Sequence, residues 1–192
     1  MKSDVTTPSN VFDYFNSSIQ DAAEETGANL TQDTQLYLAT LLTERVRSDH
    51  DRVTADTLAE IHAVAANARP GERARAYREL GDRALYSVGY FTEHCTRRTV
   101  NERYYLDMGS AAYYQVDQVF KRWFADAFGH VFKELAERFL TCVDVVKVVR
   151  ENHRDDDVLA LYQRWLATGS SSIASKLQTK GLLLPSKSYA LD

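Results

Sequence analysis

The sequence predicts an all-α fold: a single-domain bundle of seven or eight helices built around two long central ones, at about 101–123 and 126–152. Three observations carry that expectation. Apolar residues recur at three- and four-residue spacing along almost the whole chain, and no segment alternates with period two. Only 3 Pro and 8 Gly occur in 192 residues, too few for a sandwich or barrel that turns every ten residues or so. The composition, 44% hydrophobic and 26% charged, suits a globular chain long enough to bury a substantial core.

The elements follow in order. Asn10 to Thr26 carries the stripe Phe12, Phe15, Ile19 and Ala22 or Ala23, with Ser9 or Asn10 as N-cap and Gly27 as the C′ residue that ends the helix. A second helix starts near Thr31 or Asp33 and holds Leu36, Tyr37, Leu41, Leu42 and Val46. A third follows a Thr54 cap, with Leu58, Ile61 and Ala65 inward and His62 beside them, and closes at Arg69-Pro70-Gly71. Gly71 to Gly89 carries Tyr77, Leu80, Ala84, Leu85 and Val88. Its other face is laced by the four-apart pairs Arg75–Glu79, Arg78–Asp82 and Glu79–Arg83, the pattern of a solvated surface.

Residues 91–100 read as a connection, and Asn101 caps the long helix through Trp123. The second long helix has the stripe Phe128, Val131, Phe132, Leu135, Phe139, Cys142, Val143 and Val146. Asp155 to Asp157 place negative charge at the positive end of the next helix dipole, which Gly169 ends. Ser170 to Ser172 open a last short helix. Residues 1–9 and 182–192 read as tails of one domain spanning 1–192, with Leu182-Leu183-Leu184 folding back onto the body or onto a partner.

Charge and motifs narrow the chemistry. Net charge is -4 with a pI near 5.7, so the global field has the wrong sign for nucleic acid or an anionic membrane. No run approaches the length of a membrane span, the first ten residues lack the apolar core of a secretory signal, and Cys95 and Cys142 fit no metal spacing. A cytoplasmic chain with reduced thiols is the expectation. Dinucleotide, P-loop, zincin, CxxC and nucleophile-elbow signatures are absent. No histidine has Glu three residues before it, so a di-metal carboxylate site of the helical-bundle type is not encoded.

Three features remain. His130 and Glu134 share a helix face and, with Glu93, His94 or Cys95 joining from the preceding loop, form the remaining candidate metal group. Residues 69–103 hold eight Arg against five acids. Arg97, Arg98 and Arg103 lack local partners there and are the anion-binding candidates, because a guanidinium fork suits phosphate or carboxylate. Aromatic residues crowd between Tyr86 and Phe139, and Tyr86, Tyr90, Tyr105 and Tyr113 are candidates to line a cavity, since a buried Tyr hydroxyl needs a partner. Within the same region Met108-Gly109-Ser110-Ala111-Ala112 is a run of small residues. It invites close approach of a neighbouring helix, with Gly81 and Gly89 as candidates for the facing side.

The segments RELGDRALYSVGYF (78–91) and YYLDMGSAAYY (104–114) resemble stretches of helical bacterial proteins of unassigned function, a resemblance that implies a bacterial source and no activity. The functional expectation is a non-catalytic interaction or regulatory module acting through protein contacts, with a homodimer as one such contact. The alternative is a binder of a small molecule, anion or metal, its pocket between the 71–89, 101–123 and 126–152 helices and lined by those Tyr and Arg residues with His130. A third class, an acid/base enzyme using Glu93, His94 or Asp107, has only residue types behind it. No cofactor is encoded by any motif.

Overall fold

The computed structural model describes residues 11–47, 55–90, 101–123, 129–152, 158–180, 182 and 184. These form nine helices: α1 (Val11–Thr26), α2 (Gln32–Arg47), α3 (Ala55–Asn67), α4 (Pro70–Tyr90), α5 (Glu102–Trp123), α6 (Gly129–Glu137), α7 (Phe139–Asn152), α8 (Val158–Thr168) and α9 (Ser171–Thr179). No strand occurs among the described residues. None of the described helices is long and apolar enough to cross a membrane.

Local chemistry sets the helix ends at the residues the sequence marks for them. Gly27 takes φ +66°, a conformation that costs a side-chain-bearing residue about 1 kcal/mol or more. It lets Ala28 N–H reach the Ala23 carbonyl at 2.8 Å and Gly27 N–H the Glu24 carbonyl at 3.1 Å, the paired bonds of a Schellman motif. Gly169, at φ +62°, ends α8 with one bond to the Trp165 carbonyl at 2.7 Å. Pro70 opens α4, where a missing N–H is harmless. Ser170 occupies the N-cap of α9 but makes no side-chain cap bond.

The centre of the fold is the antiparallel pair α4 and α5. Gly81 lies under the Tyr113 ring, where a Cβ would sit 2.7 Å from its Cε1. Gly109 faces both the Phe139 ring of α7 and, at 3.0 Å, the Ala84 Cβ. The small-residue run therefore serves close helix packing. Gly89 faces Val146 of α7 rather than α5. Around this pair, α3 covers the start of α4, α6 lies on α5, α7 packs on the far side of α4 and against α1, and α1 and α2 form a hairpin. The core is continuous through Ile19, Leu38, Leu58, Leu80, Leu85, Tyr113, Leu135 and Val146. Leu182 is 1% exposed and donates its N–H to the Leu177 carbonyl at 3.0 Å, so the start of the tail segment folds back onto the body.

Two details differ from the sequence expectation. The helix expected over 126–152 is divided at Arg138 into α6 and α7, which is why nine helices are described. The buried stripe Phe132, Leu135, Phe139, Cys142, Val146 and Val149 runs through the break in unbroken 3–4 alternation, so periodicity gives no sign of it. What changes is the neighbour: α6 leans on α5 and α2, α7 on α4 and α1. Arg138 at the break donates to the Asn29 carbonyl and pairs with Glu134 at 3.5 Å. His62, expected inward, is exposed, with its ring edge toward Tyr77 at 5.7 Å.

Candidate functional site

The sequence places Asp82 on a solvated face, paired with Arg78. In the fold it is instead 6% exposed, on the side of α4 that meets α5 and looks toward α2. Burial of a carboxylate costs several kcal/mol unless its lone pairs are satisfied, and here they are. Tyr37 of α2 donates its hydroxyl to Asp82 Oδ1 at 2.6 Å, and Tyr113 of α5 donates to the same oxygen at 2.7 Å. Arg78 Nε lies 3.6 Å from Oδ2 and donates to the Tyr37 oxygen at 3.0 Å. The guanidinium carbon sits 5.2 Å from the Tyr37 ring centroid, a favourable stack of cation on aromatic face.

Sequence spacing explains why these groups meet. Arg78 and Asp82 are one turn apart on α4. Gly81 lets α5 come close enough for Tyr113 to reach across. The backbones of α2 and α4 do not pack closely along this stretch. Long side chains bridge them: Tyr37 to Asp82 and Arg78, and Arg45 to Glu79 at 3.1 Å.

The electrostatics follow from burial. Desolvation pushes the Asp82 carboxyl up to about 6, against the opposing pull of the Tyr37 and Tyr113 hydrogen bonds and the Arg78 and Arg45 charges. The Tyr37 and Tyr113 hydroxyls are raised well above the ordinary tyrosine value, first by burial and then by the Asp82 charge. Both therefore stay protonated as donors.

Beside this network residues of α2, α4, α5 and α6 line an open cleft of about 650 Å³. It is lined by Leu36, Tyr37, Val116, Phe120, Val131 and Phe132, with the exposed Arg75 and Arg78 on its α4 side. Phe132 stands 5.5 Å from both Tyr37 and Phe120, ring centroid to ring centroid. At the rim His130 Nε2 lies 2.7 Å from Asp33 Oδ2. Arg78 uses only Nε, so its two terminal nitrogens donate no hydrogen bond among the described residues. Arg75 has no ion pair among the described residues, because Glu79, its expected partner, is held by Arg45 at 3.1 Å and Arg83 at 2.5 Å. The lining of the cleft is thus mostly apolar, with two guanidinium groups as its basic members.

No family model, no curated protein and no solved structure matches this chain.

The structure divides the residues singled out from the sequence. Tyr113 joins the Asp82 network and His130 lines the cleft. Tyr86 and Tyr90 stack on each other at 5.4 Å near the end of α4, and Tyr105 is buried near the start of α5 beside Tyr104. None of these three lines the cleft. Arg103 is exposed and pairs with Asp107 at 3.6 Å. Arg97, Arg98, Glu93, His94 and Cys95 lie outside the described residues.

Glu134 does not turn toward His130. It accepts from Thr31 N–H, at 3.2 Å to each oxygen, and from the Thr31 and Thr34 hydroxyls at 2.5 and 2.6 Å. Burial, which raises its carboxyl, is outweighed by these bonds, and the group is held below its usual range. Its oxygens cap the first turn of α2. Among the described residues no group of three His, Cys, Asp or Glu is placed to hold a metal. Sequence reasoning missed Tyr37, Arg75, Arg78 and Asp82 as a unit; the one available signal was a Tyr amid the apolar face of α2.

Proposed function

We propose that this chain is a non-catalytic binding module whose cleft takes a small molecule with an apolar, ring-sized body and one anionic group. The observation that carries the reading is the cleft of about 650 Å³ lined by Phe120 and Phe132 and by Arg75 and Arg78, whose terminal guanidinium nitrogens make no hydrogen bond among the described residues. The volume falls in the range of small-molecule sites. A guanidinium group selects carboxylate, sulfonate or phosphate over a neutral end. A cytoplasmic setting, where aromatic and fatty acids are common solutes, is part of the proposal.

The test uses 8-anilinonaphthalene-1-sulfonate, an aromatic body with a permanently charged sulfonate. Saturable one-to-one binding at pH 7 is expected, displaced by dodecanoate or naphthoate and weakened about fivefold to tenfold in Arg75→Gln. Arg75 is exposed and unpaired among the described residues, so the variant keeps its far-ultraviolet circular dichroism. Binding that does not saturate, or that ignores Arg75→Gln, contradicts the reading.

A second reading is contact with a protein partner or a second copy. It is supported by large apolar side chains left exposed: Val64, Tyr114, Trp123, Leu140 and Leu166. They stand on four different helices rather than in one groove. Light scattering distinguishes the two: a multiple of 21.8 kDa supports self-association, and the single-chain mass removes it.

A further inference from the structure

We infer that the cleft is coupled to a proton: an anion held by Arg78 is bound with uptake of a proton by Asp82, so affinity rises as pH falls. The inference rests on the cleft reading above and adds its regulation.

The geometry places the two anions in competition for one cation. Among the described residues, Arg78 is the charged side chain that touches both the cleft and the buried network. Its Nε faces Asp82 Oδ2 at 3.6 Å and the Tyr37 oxygen at 3.0 Å, and the same side chain lines the cleft. With Asp82 ionised, the guanidinium charge is already matched from below, and an incoming anion meets a second negative charge across it. With Asp82 protonated, the same guanidinium loses its buried counter-charge and keeps only the exposed Glu44. Linkage makes this reciprocal: bound anion raises the proton affinity of Asp82 by the factor that the proton raises affinity for the anion.

Other groups face Asp82 without offering an alternative. From α2 come Tyr37 and Arg45, from α4 Arg78, and from α5 Tyr113, with the Cys142 thiol of α7 acting on Tyr113. α6 presents the apolar Phe132 to both tyrosines. The tyrosines are held protonated, the arginines keep their charge, and burial pushes the thiol up to about 12. Glu44 acts on Arg78 from the surface and is exposed. Asp82, with a carboxyl that burial has moved to about 6, is the member of the network that changes charge near neutral pH. The sign is fixed: Asp82 is ionised at pH 8 and the anion is disfavoured, and it is protonated at pH 5 and the anion is favoured. His130 and Asp33 at the rim, 2.7 Å apart, are the second titratable unit of the cleft, and the test separates them.

The experiment measures binding of 8-anilinonaphthalene-1-sulfonate between pH 5 and 8 at constant ionic strength, with the sulfonate ionised throughout. The wild type is expected to bind about fivefold or more tightly at pH 5 than at pH 8, the scale of ordinary coupling between sites. Calorimetry in two buffers of different ionisation enthalpy is expected to show proton uptake above pH 6. Asp82→Asn, a neutral stand-in for the protonated acid, is expected to bind equally at both pH values within about twofold. His130→Gln is expected to retain the pH dependence.

Arg75-dependent binding with no proton uptake overturns the coupling and leaves the cleft reading standing. Dependence that survives in Asp82→Asn and vanishes in His130→Gln also overturns it. Absence of Arg75-dependent binding at every pH removes both. If Asp82→Asn does not fold, the proton uptake of the wild type decides, together with the carbon-13 shift of the Asp82 carboxyl, whose midpoint must move up on binding.

Discussion

Removing one hydroxyl tests the Asp82 network most cleanly. Tyr113→Phe leaves the ring against Gly81 and deletes only the donor that reaches Asp82 Oδ1 at 2.7 Å in a fully buried setting. A hydrogen bond to a charged acceptor is worth about 1.5–3 kcal/mol, and one to a neutral acceptor about 1 kcal/mol. Which value applies depends on pH, because burial sets the Asp82 carboxyl at about 6. A carboxyl raised in the folded state favours folding at low pH and loses that contribution as pH rises through its folded value. Deleting a donor raises the carboxyl further and deepens the loss above that value by about 1.4 kcal/mol for each unit of extra shift. At pH 5 the acid is already protonated in the native protein, and only the neutral bond is lost. Urea unfolding followed at 222 nm should therefore show Tyr113→Phe less stable by about 1.5–3 kcal/mol at pH 8 and by about 1 kcal/mol at pH 5. Equal losses at the two pH values, within the roughly 0.5 kcal/mol usual for such comparisons, would refute the reasoning.

Glu134→Gln should cost about 1–2 kcal/mol at pH 7, since the carboxylate accepts from Thr31 and Thr34. Its carboxyl is held low, so its contribution is present at neutral pH and fades as pH falls through the folded value. The cost in urea unfolding should shrink under acid; a cost that grows there would be wrong for this geometry. Gly109→Ala places a methyl against Phe139 and Ala84 and should lose roughly 1–2 kcal/mol despite the better helix propensity of Ala. Gly71→Ala, with nothing within 4 Å of the added methyl, should be neutral or gain a few tenths. Thermal midpoints that fall equally for both would discredit the close α4–α5–α7 packing. Cys142 is fully buried with its thiol pushed up to about 12. Iodoacetamide at pH 8 should leave its peptide unmodified by mass spectrometry until denaturant is added.

Much of the fold was legible because helix stripes and helix stops are local. Phe15, Ile19 and Ala22 mark the inner face of α1 by spacing alone. Gly27 and Gly169 end helices where the chain must take positive φ. Gly109 and Gly81 announced close packing, since Gly inside a helix costs about 1 kcal/mol without such a reason. The break at Arg138 was not legible, because the stripe keeps its phase while its neighbours change. The site was the least legible part. Arg78 and Asp82 carry the spacing of an exposed ion pair, and nothing local distinguishes a pair at the surface from one driven into the interior. What buries it is Tyr37 and Tyr113, brought from 45 residues before and 31 residues after Asp82, and separations of that size leave no mark in periodicity. Of the arginines chosen from sequence, Arg103 has a partner one turn on in Asp107. Arg75, without an ion pair in space among the described residues, had an apparent partner in Glu79 that Arg45 and Arg83 take instead.

The central claim is that Arg75 and Arg78, lining an aromatic-walled cleft, receive an anion. The most direct measurement is a nitrogen-15 spectrum of the arginine Nε groups during titration with 1-naphthalenesulfonate. Arg75 and Arg78 signals should move together and saturate with the same midpoint as ring-current shifts on Val116 and Leu36 methyls. Movement spread evenly over all arginines, or none at Arg78 while the probe binds elsewhere, would contradict the account.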